Sequence, residues 1–158
     1  IVEIRDQLGS DTLIIGNGDV LSLADAQQKV AISGVDGAMV GRALFGNPWL
    51  FHPTKRLPHE LIALPTHGVN REELIAPADQ SNQAVEYISL EERLRVLVEH
   101  THLFVELLPF KNFNTMKKHY KGYVNGFAGA AQLRAKLMEQ NTPEAVEQVV
   151  HNFLSSKN

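Results

Sequence analysis

Two short turns carry the residues best suited to holding an anion: Gly16-Asn17-Gly18-Asp19 and Gly41-Arg42. Glycine lets the backbone approach a ligand closely, and exposed N–H groups next to a helix start hold a phosphate. Arg42 would add a charge-assisted hydrogen bond. The carboxylate of Asp19 would repel the anion, which leaves its backbone N–H as the useful donor. Each turn alone is also an ordinary strand-to-helix connection. As a pair separated by a single helix, they leave both readings open.

A second group of chemically apt residues lies in 109–136. Lys111, Lys117, Lys118, Lys121, Arg134 and Lys136 occur there without a single acid, whereas residues 1–85 hold six Lys/Arg against ten Asp/Glu. The net charge of −3 is therefore unevenly spread, and a local basic zone is the footprint that nucleic-acid phosphates require. At about 100° per residue, Lys111, Asn114, Lys118 and Lys121 share one helix face, with Phe113, Met116 and Tyr120 opposite and Lys117 at the border. That face either tracks phosphates or is a solvated face of an ordinary bundle helix. His119 either stacks on or bonds to RNA, or has a structural partner; Arg134 faces RNA or an acid on a neighbouring helix.

These residues need elements to place them. Asp11–Ile15 reads as a short strand, Ser22 with Asp25 opens a helix that Gly34 stops, and Ala38–Val40 reads as a second strand. Strand, helix, strand is a βαβ unit with parallel strands. Two such strands cannot bury both faces, so the unit calls for more sheet than residues 1–52 supply. The first residues, Ile1-Val2-Glu3-Ile4-Arg5, read as a helix tail running into Gly9 and as the interior of a longer protein. Pro53, Pro58, Pro65 and Pro77 mark 53–85 as a linker, with short helical pieces near Glu60–Leu64 and Arg71–Ile75.

Residues 86–158 read as four amphipathic helices. Ser89 and Glu92 form a capping box before a stripe of Leu90, Leu94, Leu97, Val98, Thr101, Phe104, Val105 and Leu108 that Pro109 ends. A second helix covers Lys111–Val124 and a third Gly129–Gln140. Thr142-Pro143 caps a fourth, with Val146, Val149, Val150, Phe153 and Leu154 on its apolar side. Short connections make these a four-helix bundle. The fold class expected is thus α/β plus all-α.

The chain has 158 residues, of which 44% are hydrophobic and 21% charged, the balance of a globular protein with no membrane span. It has no cysteine, so disulfides, zinc–thiolate sites and a cysteine nucleophile are excluded within it. His100 and His102 lie about 200° apart on a helix, and His52, His59 and His67 lack ligand spacing. No metal site is expected.

The stretches Ile15–Val20, Gly34–Arg42 and Gly46-Asn47-Pro48-Trp49-Leu50-Phe51, with the spacing between them, resemble the barrel end of the tRNA-dihydrouridine synthase family. Met116-Lys117-Lys118-His119-Tyr120 and Gly129-Ala130-Ala131-Gln132-Leu133-Arg134 resemble the signature of that family's C-terminal helical, tRNA-binding domain, where an Arg-Lys-His triplet is usual and this chain has Lys117 first. The resemblance implies that 1–52 is the last part of an FMN-binding TIM (β/α)8 barrel and 86–158 the helical domain. It implies FMN phosphate contacts at Asn17, Gly18, Asp19, Gly41 and Arg42, and RNA contacts at Lys111, Lys117, Lys118, His119, Lys121 and Arg134. The implied reaction is reduction of uridine to 5,6-dihydrouridine in tRNA, with NADPH as reductant, in a monomeric cytoplasmic enzyme. The family's catalytic cysteine lies on an earlier barrel strand, so this chain alone is expected to be inactive. Asn47-Pro48-Trp49 reads as a turn with a packed indole. The competing readings are a stand-alone RNA-binding helical module and a different FMN barrel acting on a small molecule.

Overall fold

The computed structural model describes residues 1–58 and 85–157. The helical pieces expected near 60–64 and 71–75 lie outside those residues. The described chain divides into two units, Ile1–Leu44 and residues 45–58 with 85–157.

The first unit holds α1 (Val2–Gln7), β1 (Ile15–Asn17), α2 (Leu23–Ser33), β2 (Gly37–Met39) and a 3-10 turn at Arg42–Leu44. β1 and β2 pair in parallel, Ile15 opposite Gly37 and Asn17 opposite Met39. The strand expected at Asp11–Ile15 is therefore displaced toward Gly16-Asn17. Asp36 sets the register: its Oδ2 accepts from Ile14 N–H at 2.7 Å while its own N–H donates to Ile14 O at 2.9 Å. The ladder can start only beyond that lock. The ends of α2 follow the residues. Asp25 N–H donates to Ser22 Oγ at 3.1 Å, and Gly34 ends the helix in the left-handed conformation at φ 70°. Among the described residues of this unit only Val20 is a buried apolar side chain, and Leu13, Ile15, Ile32 and Met39 are more than half exposed.

The second unit begins with a turn at 46–51 and holds β3 (Lys55–Arg56), β4 (Glu86–Tyr87), α3 (Leu90–Leu107), α4 (Asn114–Tyr123), α5 (Ala130–Glu139) and α6 (Pro143–Ser155). β3 and β4 pair in parallel, so the two ends of the segment read as a linker are tied to each other. Two-residue strands carry no alternation, and the sequence pattern could not show them. Beneath them Trp49, Leu57 and Ile88 form a small cluster that Val96 of α3 joins. The indole is packed as expected, but residues 45–52 belong with the helices rather than with the α/β unit. Glu92 gives half of its capping box. Its N–H donates to Ser89 Oγ at 3.0 Å, while its carboxylate takes Lys55 Nζ at 2.7 Å instead of closing the box.

The main core is built from Leu94, Leu97 and Phe104 of α3, Met116 and Tyr120 of α4, Leu133 and Leu137 of α5, and Val146 and Val150 of α6. Burial of each such side chain contributes about 1.5–3 kcal/mol. Val105 and Leu108, expected on the α3 stripe, are 39% and 37% exposed because the helix runs past the core at its C-terminal end. α4 starts three residues later than expected. Pro109 ends α3, Lys111 N–H donates to Leu108 O at 2.9 Å, and Asn112 Oδ1 accepts from Asn114 N–H at 2.8 Å. Lys111 thus lies in a turn and not on the helix.

Candidate functional site

Asn17 ends β1 and Gly41 follows β2 closely. Because the strands are parallel neighbours, both turns leave the same end of the ladder. Gly18 has φ 129°, a conformation side-chain-bearing residues rarely adopt, and Asp19 follows at φ 44°. A Cβ on Gly18 or Gly41 would meet nothing within 4 Å, so the backbone is open at both turns. Among the described residues the N–H groups of Gly18, Asp19, Gly41 and Arg42 hold no hydrogen bond to the chain. These are the donors a phosphate uses. The structure also joins the turns by their side chains: Arg42 forms an ion pair with Asp19. The carboxylate that argued against an anion is thereby neutralised. Both side chains are more than 60% exposed, so the pair adds little stability. Lys29, which the motif reading passed over, donates to Asp19 O at 2.9 Å and to Asp25 at 2.8 Å. Its position four residues after Asp25 on α2 was the available signal.

The six residues expected at RNA separate in the structure. Lys118 and Lys121 are exposed on α4 and, among the described residues, their Nζ groups hold no hydrogen bond or ion pair. Lys111 is exposed in the preceding turn, its Nζ 5.6 Å from the Phe110 ring centroid. Lys117 is turned inward: Nζ donates to Met138 O at 2.8 Å and to Asn141 Oδ1 at 3.0 Å, where α5 ends. Arg134 donates to Val124 O at 2.6 Å and finds neither an acid nor open solvent alone. His119 is half-buried between Phe45, edge-on at 5.6 Å, and His100 at 5.1 Å. Burial and then Lys118 hold the His119 imidazole below its ordinary value; burial and then His119 do the same for His100. His100 Nδ1 also lies 3.1 Å from Tyr123 Oη.

Arg93 of α3 was likewise passed over. It is completely buried, and donates to Gly122 O at 2.6 Å and Asn125 O at 3.2 Å. Burial pulls its guanidinium down to about 10, which leaves it charged at neutral pH. No sequence signal marks an arginine as buried. The described residues contain no group of three or more His, Cys, Asp or Glu able to hold a metal, and no helix long and apolar enough to cross a membrane.

The family model described as dihydrouridine synthase matches residues 1–158. A probable tRNA-dihydrouridine synthase of Rickettsia conorii is 28% identical over 144 residues, covering 90% of this chain and 37% of the relative. Probable tRNA-dihydrouridine synthase 2 of Bacillus subtilis is 26% identical over 155 residues, covering 97% of this chain and 38% of the relative. A probable tRNA-dihydrouridine synthase of Staphylococcus aureus is 28% identical over 149 residues, covering 93% and 36%. The chain thus spans a little over a third of the length of the curated relatives it matches. Since the family model matches residues 1–158 of this chain, the chain belongs to the dihydrouridine synthase family.

Proposed function

We propose that this chain is the C-terminal part of an FMN-dependent tRNA-dihydrouridine synthase, in which residues 1–44 close a TIM barrel and 86–157 form a four-helix tRNA-binding bundle. The single observation that carries the reading is the pair of open, parallel turns with free N–H groups at Gly18, Asp19, Gly41 and Arg42. They fit a phosphate monoester: backbone donors bind its oxygens, Asn17 supplies an amide, and the Arg42–Asp19 pair can open to offer the guanidinium. FMN, reduced by NADPH, supplies the hydride for the uracil ring when bound. This chain's own part is to hold the phosphate and to present RNA to the site. Lys118 and Lys121, with Lys111 in the turn before α4, supply cations for the tRNA backbone. A tRNA substrate places the enzyme in the cytoplasm.

The test is conversion of uridine to dihydrouridine in an unmodified tRNA transcript by the intact polypeptide that contains this chain, with FMN and NADPH, read by mass spectrometry of the digested RNA. Replacement of Gly18 by Val should weaken flavin retention, since φ 129° strains any β-branched residue. An active polypeptide whose flavin content is unaffected by that change would remove the phosphate assignment. This chain alone should show no turnover, because it has no cysteine to protonate the reduced ring.

One observation favours a second reading, a helical module that binds RNA by itself: α3–α6 share a continuous buried core, whereas the α/β unit buries little apolar surface. Uridine reduction by the intact polypeptide decides between the two.

A further inference from the structure

The C-terminal end of α4 is held more firmly than a surface helix needs. Four groups converge on its last carbonyls. Arg93, from α3, donates to Gly122 O at 2.6 Å and Asn125 O at 3.2 Å. Arg134, from α5, donates to Val124 O at 2.6 Å. The side chain of Asn125 donates back to Lys121 O and Gly122 O, each at 2.9 Å. The fourth is the backbone at Phe45-Gly46, which packs directly on Gly122. A Cβ on Gly46 would fall 2.1 Å from Gly122 C and O, and one on Gly122 would fall 2.8 Å from Phe45 C and O. One turn earlier, Phe45 lies edge-on to His119, and His119 lies against His100.

The last carbonyls of a helix carry its negative dipole end and lack intrahelical partners. Two guanidinium groups placed there satisfy them and oppose the dipole. Arg93 does so from full burial, where bonds to a charged donor are stronger than at the surface. The result is a clamp on the helix that carries the exposed cations Lys118 and Lys121.

Resting on the RNA reading above, we infer that Arg93 and Arg134 are positioning residues for the basic face of α4: they fix the helix that carries Lys118 and Lys121 and do not themselves touch RNA. This reassigns Arg134, whose place in an RNA-binding signature suggested a direct contact. It predicts two kinds of variant. Removing a residue that touches phosphate lowers the number of counterions released. Removing one that only orients the helix lowers affinity without changing that number.

The experiment measures affinity of the full chain for an unmodified tRNA transcript over a salt series, well below the unfolding temperature, together with amide exchange in α4. Lys118→Ala and Lys121→Ala should each reduce the magnitude of the log–log salt slope by roughly 0.7–0.9, with exchange unchanged. Arg134→Ala should lose affinity several-fold at every salt with the slope unchanged, and exchange should quicken in the last turn of α4. Arg134→Lys, which keeps a cationic donor for Val124 O, should restore much of both. Arg93→Met should behave as Arg134→Ala; if it does not fold, Arg93→Lys takes its place with a smaller effect of the same sign. A reduced slope with unchanged exchange in Arg134→Ala would make it an RNA ligand and overturn the inference. So would faster exchange with unaltered affinity, which would leave the arginines as structural caps only. A wild-type chain that binds no tRNA defeats the RNA reading and the positioning role with it, while the exchange data still show separately whether the clamp on α4 exists.

Discussion

At Gly46 a single hydrogen stands where any side chain would meet backbone. Its φ is 74° and a Cβ would overlap the Gly122 peptide. Gly46→Ala should therefore destabilise the helical unit by about 1–3 kcal/mol, the usual cost of overpacking, with the backbone penalty added. A thermal melt within a few tenths of a kcal/mol of wild type would refute the close approach. The paired imidazoles make a second prediction. Both His100 and His119 are held below the ordinary value of 6.5, chiefly by burial. The unfolded chain then takes up protons first as pH falls. Stability from these groups is complete above about pH 7 and declines as pH drops through 6.5 toward the depressed folded values. His119→Gln should flatten the pH dependence of unfolding between pH 7 and 5, measured by denaturant titration; an unchanged slope would place the pair in solvent. Lys117 belongs at this scale too. Its pairing with Met138 O and Asn141 was not legible from sequence, because a lysine at the edge of an amphipathic helix has the same pattern whether its tip meets water or a neighbour.

Among the elements, helix limits were the most legible feature. Ser22, Gly34, Ser89 and Thr142 cap or stop the helices as their residue types require, each through a bond to a nearby residue in sequence. Thr142→Ala should cost about 1 kcal/mol, since its Oγ1 accepts from Ala145 N–H at 3.3 Å ahead of Pro143; a neutral effect in thermal unfolding would show that the cap is dispensable. The start of α4 was misplaced because Asn112 diverts the chain with its own side chain, a competition that apolar periodicity does not register. β3 and β4 were missed for a different reason. Their partner strand is about 30 residues away in sequence, and nothing local marks the pairing. Of the two glycine turns, the sequence showed the glycines and their order, while the Arg42–Asp19 pair required the strands to be side by side.

For the molecule as a whole, the contrast between units sets where it should be most resistant to opening. α3–α6 enclose Leu94, Leu97, Met116, Tyr120, Leu133, Leu137 and Val146, all at 0 or 1% exposure. The α/β unit exposes Ile15, Ile32 and Met39 by more than half. Amides in α3–α6 should be the slowest to exchange and those in α1, β1 and β2 the fastest, by a wide margin in hydrogen-exchange mass spectrometry of the full chain; equal protection would contradict this distribution of the core. The sequence by itself determined the helices and their caps, the parallel βαβ order, the two glycine turns, the acid-free basic zone and the family resemblance. All of these depend on residue type and short spacing. Only the tertiary structure decided which cations remain free, which became clamps on α4, why Gly46 and Gly122 must both be glycine, and that Arg93 is buried. Those outcomes depend on which groups meet across distant parts of the chain, and a side chain's partner there is chosen by packing rather than by its neighbours in sequence.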